Sequence, residues 1–295
     1  MKKLWSNLGL GVWSVVGPSP GDSAQTFVDD CNQIDTPYTL ISYRGSRCSR
    51  FATGKRPVMR GLAEMPISRD IERIVFVGVI HTDTQSVERA RKAVHNNAPD
   101  VVAVELDRDR YRQLMNPEAT RTIIEHTNPT GDTVQDLMQQ IASLELQLGD
   151  MTGSPAGEEM MAAIDEGRKI SAKIALVDRP IQATAQALMR VPLDELYRLM
   201  GMLPEATKDI QDEGVLSLMS MLKEDGAVEN MMGEFRKQFP NVTAALIEQR
   251  DEYVARALCT ILDDVPGKIV VVLGAGHLQG VKAALERMLR VSSAS

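Results

Sequence analysis

The sequence predicts an α/β fold, a central and mostly parallel sheet flanked by helices, behind an irregular N-terminal extension. Short β-branched runs recur at 74–79, 101–105, 173–177 and 269–273, the mark of strands buried on both faces. The stretches between them are long enough for helical crossovers. Two of the runs are followed by the same G-x-x-H pattern, Gly78 to His81 and Gly274 to His277. The expected organisation is an extension over residues 1–69 and one α/β domain over 70–295.

Composition bounds the function. The chain has 295 residues with 43% hydrophobic and 25% charged side chains, ordinary values for a globular protein. A net charge of −7 argues against nucleic acid as a partner, and 4% aromatic residues leave little for base stacking. Cys31, Cys48 and Cys259 are scattered and form no C-x-x-C, so neither a zinc ribbon nor a disulfide framework is indicated. No run approaches the roughly 20 apolar residues of a membrane helix. These features place the protein in the cytoplasm, and they leave a homo-oligomer open.

The extension is rich in glycine, serine and proline. Lys2 and Lys3 precede the mildly apolar Leu4 to Val16, which reads as a local segment because asparagine, glycine and serine dilute it. Between Thr36 and Ala63 there is no acidic residue, while Arg44, Arg47, Arg50, Lys55, Arg56 and Arg60 are present. That stretch reads as an irregular surface segment, with organelle targeting or an anion-binding arm as the alternatives. Tyr38 to Ser42 suits an edge strand.

The first core strand, Ile74–Val79, leads to His81 and to a helix that Thr82 or Asp83 can cap, with Val87, Ala90, Arg91 and Val94 on one face. Asn96, Asn97 and Pro99 end that helix. The second strand, Val101 to Val104, closes on Glu105, Leu106 and Asp107. A simple crossover makes these two strands neighbours, with His81 and Glu105 at their carboxyl ends, the edge where open α/β sheets bind ligands. Arg108, Asp109, Arg110 and Arg112 read as the solvated start of a helix. A helix follows over Thr133–Leu148. Ser154 and Pro155 suit the cap and first position of the next helix. Lys173–Val177 is the third strand, ending in Asp178-Arg179, with Pro180 opening another helix. Residues 192–240 are helical and rich in methionine, which suits adaptable core packing. Asn241 can cap a long helix running to Leu262. Ile269–Leu273 is the last strand, and a helix from about Leu278 to Arg290 closes the domain.

Four histidines are present, and His81 and His277 share the strand-end context. Two imidazoles and the Glu105 carboxylate at one sheet edge would suit a divalent metal. His95 and His126 read as surface residues near helix ends. Gly274, Gly276 and Gly280 are superficially like a phosphate loop, but their spacing is not the dinucleotide fingerprint.

The stretches GVIHTDTQSV, PDVVAVELDRDRYRQL, LVDRPIQAT, EQRDEYVARAL and VVVLGAGHLQG occur in the order seen in the TraB-domain family, and the chain resembles that family over about residues 73–290. The family includes bacterial pheromone-shutdown proteins and is more distantly similar to the Tiki metalloproteases, the erythromycin esterases and the ChaN haem-binding proteins. By motif, the resemblance implies His81, His277 and Glu105 as a divalent metal set. It also implies Asp178, Arg179 and Arg250 as the other polar positions. Gln249 stands before Arg250 where the family often has glutamate, and Glu248 is one position away. The implied activity is a metal-dependent hydrolase, a peptidase in particular. The alternative is a non-catalytic protein that binds or sequesters a peptide or small ligand in the same cleft. Arg250 is too basic for a proton acceptor and would hold a carboxylate or a developing oxyanion. Asp178 would orient a histidine from behind.

Overall fold

The computed structural model describes residues 38–41, 70–126 and 128–293. The apolar segment Leu4–Val16 and the basic stretch Arg44–Arg60 lie outside the described residues.

The described residues build a five-stranded sheet in the order β1-β4-β3-β5-β2. Its strands are β1 (Thr39–Ile41), β2 (Ile74–Val79), β3 (Val101–Val104), β4 (Lys173–Leu176) and β5 (Ile269–Gly274). β2, β5, β3 and β4 pair in parallel, and β1 lies antiparallel on the β4 edge. The expected edge strand near Tyr38 is therefore present, and this piece of the N-terminal stretch belongs to the sheet.

Alternation along the strands feeds two cores. Val101, Ala103, Val271 and Leu273 face one side, with Val254, Leu258, Ile261 and Leu285 packed on them. Val102, Val104, Val270 and Val272 face the other, against Ala90, Val94, Met160 and Ile164. Both faces are covered, which is why these strands are continuous runs of valine and isoleucine rather than alternating ones.

One expectation fails. β2 and β3 are not neighbours, because β5 is inserted between them. In-register pairing sets Val79 beside Gly274 and Val104 beside Val272. The last strand thus carries its histidine into the gap between the carboxyl ends of the other two.

The helices between and after these strands are α1 (Thr84–Asn97), α2 (Arg108–Met115), α3 (Pro117–His126), α4 (Thr133–Thr152) and α5 (Glu158–Lys169). Then come α6 (Ile181–Leu188), α7 (Leu193–Glu213), α8 (Val215–Leu222), α9 (Ala227–Gln238), α10 (Pro240–Thr243), α11 (Gln249–Asp264) and α12 (Ala275–Ser293). Asp83 caps α1 by accepting from the Ser86 amide at 3.0 Å. Arg91, expected on the inner face, is exposed on the solvent side and pairs with Glu88.

Three helix starts differ from expectation. α5 begins after Gly157, whose φ of +89° only glycine adopts freely; Ser154 is not its cap but donates its hydroxyl to Glu158. Asn241 lies inside α10 rather than capping it, and a π-helical stretch, Ala244–Glu248, joins α10 to α11. α12 begins at Ala275, directly after β5, so His277 sits in its first turn. The methionine-rich region packs as a third core: Met219, Met231 and Met232 are buried with Leu137, Leu196, Leu199, Phe235 and Leu246. Among the described residues no helix is long and apolar enough to cross a membrane.

Candidate functional site

Three strand ends bring His81, Glu105 and the start of α12 together. Glu105 follows β3, and its amide extends the ladder by donating to Val272 O at 3.1 Å. That places the Glu105 carboxylate beside the beginning of α12, where Oε2 accepts from the Gly274 amide at 2.7 Å. A helix start suits a negative group. The other oxygen, Oε1, accepts from Arg250 Nη2 at 2.7 Å and lies 3.3 Å from His277 Nε2.

Arg250 ties the site together. Its Nε and Nη2 also donate to both oxygens of Asp178, at 3.1 and 2.7 Å. Arg110 Nη1 approaches the same carboxylate at 3.7 Å. The row His277, Glu105, Arg250, Asp178, Arg110 is buried throughout. Such charges are tolerated in a low-dielectric interior only when paired, and here each has a counter-charge.

The electrostatics follow from that pairing. Burial disfavours the Asp178 carboxylate, but Arg250 and Arg110 outweigh it and hold its carboxyl below the ordinary range. Burial also opposes the charge on Arg250, which Asp178 and Glu105 overcome, so it stays cationic. Arg179 is lowered to about 10 by burial and by its neighbour Arg250. It donates to Thr184 Oγ1 at 3.0 Å, to Gln249 Oε1 at 3.1 Å and to the Ala245 carbonyl in the π-helical stretch. The Arg179 guanidinium thus bonds the helix that carries Arg250, while its backbone amide donates to Asp178 Oδ1 at 2.8 Å. π-helical turns often mark sites where a helix must re-aim side chains.

A pH effect follows from Asp178. Its folded pKa lies below the ordinary carboxylate value of 3.8, so its stabilising contribution is full above that value. The contribution is lost as pH falls through the lower folded value. Denaturant melts should therefore show wild type ahead of Asp178→Asn at neutral pH, with the gap closing on acidification below about 4. A gap that is constant with pH would contradict this ion pairing.

Each histidine is gripped from behind by a carboxylate. Glu159, on the first turn of α5 and fully buried, holds His81 Nδ1. Asp251, on α11, holds His277 Nδ1 at 2.7 Å. The Nε2 atoms of both rings are buried and have no hydrogen-bond partner among the described residues. Burial works against a charged imidazole, but Glu159, with Glu105 and Glu145, raises the His81 pKa above its ordinary value. His277 is raised in the same way, by Glu105 and Asp251 against burial. Burial lifts the Asp251 carboxyl although His277 pulls it down. Thr82, next to His81, is a β-branched residue at φ 60°, buried, with an unpartnered hydroxyl. Non-glycine residues hold this conformation only where the surroundings force it.

Of the residues singled out from sequence, the structure gathers Glu105, Asp178, Arg250 and His277 into one bonded row, and Glu105 acts on His81 through space. Asp178 does not orient a histidine; it is the counter-ion of Arg250, and Glu159 and Asp251 hold the rings instead. Arg110 was expected on a solvated face and is buried beside Asp178, whereas Arg108 and Arg112 are exposed. Asp107 is occupied structurally, capping α2 and accepting from the Ile181 amide at 2.7 Å. Glu248 is half-exposed and pairs with Arg236. His95 and His126 lie on the surface, His95 beside Glu166 at 3.2 Å and His126 at the last turn of α3. Glu159 carries no local sequence signal. Asp251 does, since it directly follows Arg250.

A divalent ion asks for unpartnered imidazole nitrogens and a carboxylate, and the donor chemistry at His81 Nε2, His277 Nε2 and Glu105 fits. As the side chains stand, no three His, Cys, Asp or Glu residues are drawn into one coordination sphere among the described residues. Glu105 is held by Arg250 and Gly274, so ligation would exchange one of those contacts.

Comparison with known proteins gives one consistent result. The model of the TraB/PrgY/gumN family matches residues 65–290. An uncharacterized protein of Methanocaldococcus jannaschii is 26% identical over 219 residues, covering 73% of this chain and 54% of its own length. The human TraB domain-containing protein is 24% identical over 255 residues, 77% of this chain and 66% of that protein. The mouse protein of the same name is 23% identical over 256 residues. The chain thus spans about half of the archaeal relative and just under two thirds of the human one.

Proposed function

Because the chain belongs to the TraB/PrgY/gumN family, we propose that it is a metal-dependent hydrolase of carbonyl substrates, peptides first, with His81, Glu105 and His277 as the metal-holding set. One observation carries the reading: two buried imidazoles have Nε2 atoms without a hydrogen bond, and Glu105 acts on both rings, lying 3.3 Å from His277 Nε2. When bound, a divalent ion would supply a Lewis acid and acidify a water molecule near neutral pH.

The other residues serve that set. Arg250 aims Glu105 through its 2.7 Å hydrogen bond, and Asp178 fixes Arg250 in turn. Peptides are placed first because the motifs resemble those of the Tiki metalloproteases and the pheromone-shutdown proteins. The test is a peptide-library cleavage screen on the purified chain, with and without chelator. Cleavage that is lost with chelator and in Glu105→Gln is the expected result. Cleavage unaffected by both would overturn the metal-dependent reading.

A second reading is supported by how closed the site is. The side chains of Glu105 and His277 are only 3% and 2% exposed, and His81 reaches solvent most, at 13%. A protein that captures a peptide or small ligand without turning it over would use the same buried polar cluster. Tight metal binding with no cleavage in the screen would favour capture.

A further inference from the structure

We propose that Glu159 and Asp251 are the positioning residues of two matched carboxylate–imidazole pairs, and that Gly280 is the residue that makes room for one of them. An ionised carboxylate can only accept a hydrogen bond. Glu159 against His81 Nδ1, and Asp251 against His277 Nδ1, therefore place the proton of each neutral ring on Nδ1. That leaves the lone pair on Nε2, which is buried and makes no hydrogen bond in either ring; at His277 the closer carboxylate decides, Asp251 at 2.7 Å from Nδ1 against Glu105 at 3.3 Å from Nε2. A ring fixed in this tautomer by a carboxylate behind it is how metal-holding histidines are oriented, and the carboxylate also raises the ring's basicity.

The two pairs are built from different elements but by the same means. Glu159 comes from the first turn of α5, whose entry requires Gly157: a Cβ there would meet Leu114 Cδ1 at 2.8 Å. Asp251 comes from α11 and lies against α12 one turn beyond His277. A Cβ on Gly280 would stand 1.8 Å from Asp251 Oδ2, far inside contact distance. Gly280 therefore belongs to this pair rather than to a phosphate loop. It also offers a way to disturb Asp251 without changing any polar group.

The positioning roles rest on the proposed metal site only for what Nε2 binds; the ring tautomers stand apart from it. The test is nitrogen NMR of the full chain labelled in histidine, in alkaline solution where the rings are neutral, together with a zinc titration. In the wild type both His81 and His277 are expected in the Nδ1–H tautomer. Glu159→Met should release His81 alone, and Gly280→Ala should release His277 alone. Each variant should weaken zinc binding by about 10- to 100-fold. Glu159→Gln preserves shape and serves if the methionine variant does not fold. Its carboxamide oxygen can still accept from Nδ1–H, so it should hold the tautomer yet weaken zinc. A wild-type ring in the Nε2–H tautomer overturns the proposal, as does an unchanged tautomer at His81 in Glu159→Met or at His277 in Gly280→Ala. Tautomers that shift as stated in a protein that binds no zinc would leave the positioning roles standing and remove the metal.

Discussion

Arg250→Met is expected to lower folding stability by about 3–5 kcal/mol, the usual consequence of removing one partner from a buried ion pair. The reason is what it leaves behind. Glu105 and Asp178 are 3% and 4% exposed at their side chains, and both are bonded to Nη2 of this one guanidinium. Glu105 keeps the Gly274 amide, and Asp178 keeps Arg110 at 3.7 Å and the Arg179 amide at 2.8 Å. Among the described residues, Glu105 is then left with the His277 ring at 3.3 Å as its counter-charge and Asp178 with no cation nearer than 3.7 Å, neither of which replaces a bonded guanidinium. Urea melts should show the loss as a lower midpoint with an unchanged slope. Adding Glu105→Gln and Asp178→Asn to the methionine variant should recover part of the loss, because the uncompensated charges are then gone. A single-variant loss below about 1 kcal/mol would show that Arg250 is not what keeps these carboxylates buried.

Much of this arrangement is legible in the sequence, for a physical reason. A parallel strand buried on both faces is apolar throughout, so β3 and β5 stand out as valine-rich runs, and the partly exposed β2 and β4 remain apolar over most of their length. The chemistry-bearing residues at their ends, His81, Glu105, Asp178 and His277, are legible for the same reason. Strand order is not. Nothing local in 269–274 says that it inserts between β2 and β3, since that depends on packing across the whole sheet. Helix entry is similarly hidden: Gly274-Ala275-Gly276 looks like a turn, but the Glu105 carboxylate takes the Gly274 amide there and α12 starts at once. The π-helical stretch at 244–248 has no compositional mark that separates it from an ordinary helix. Glu159 was missed because its only distinguishing contact is 78 residues away. Arg110 was missed because a buried arginine in a charged run reads like its exposed neighbours until its partner, Asp178, is known.

The second large effect concerns the two histidines as a unit. If both Nε2 atoms serve one ion with Glu105, removal of either leaves too few ligands. His81→Ala and His277→Ala should each abolish most of the cleavage or capture, and the double variant should be scarcely worse than either single one. Residues that act as a unit are non-additive in this way. The fold should survive, because β2 and β5 are anchored by Val77, Val271 and Leu273 rather than by the rings. His95→Ala is the control, since His95 is 72% exposed at its side chain and sits in the last turn of α1.

The most direct measurement is a cobalt titration of the full chain, followed by visible absorbance, on wild type, the three single histidine variants and the His81→Ala/His277→Ala double variant. The account predicts one ion per chain in wild type and in His95→Ala. It predicts collapse of binding to a common low level in His81→Ala, His277→Ala and the double variant. Wild-type affinity retained in both His81→Ala and His277→Ala, or losses in the two that multiply in the double variant, would contradict a site shared by the two histidines.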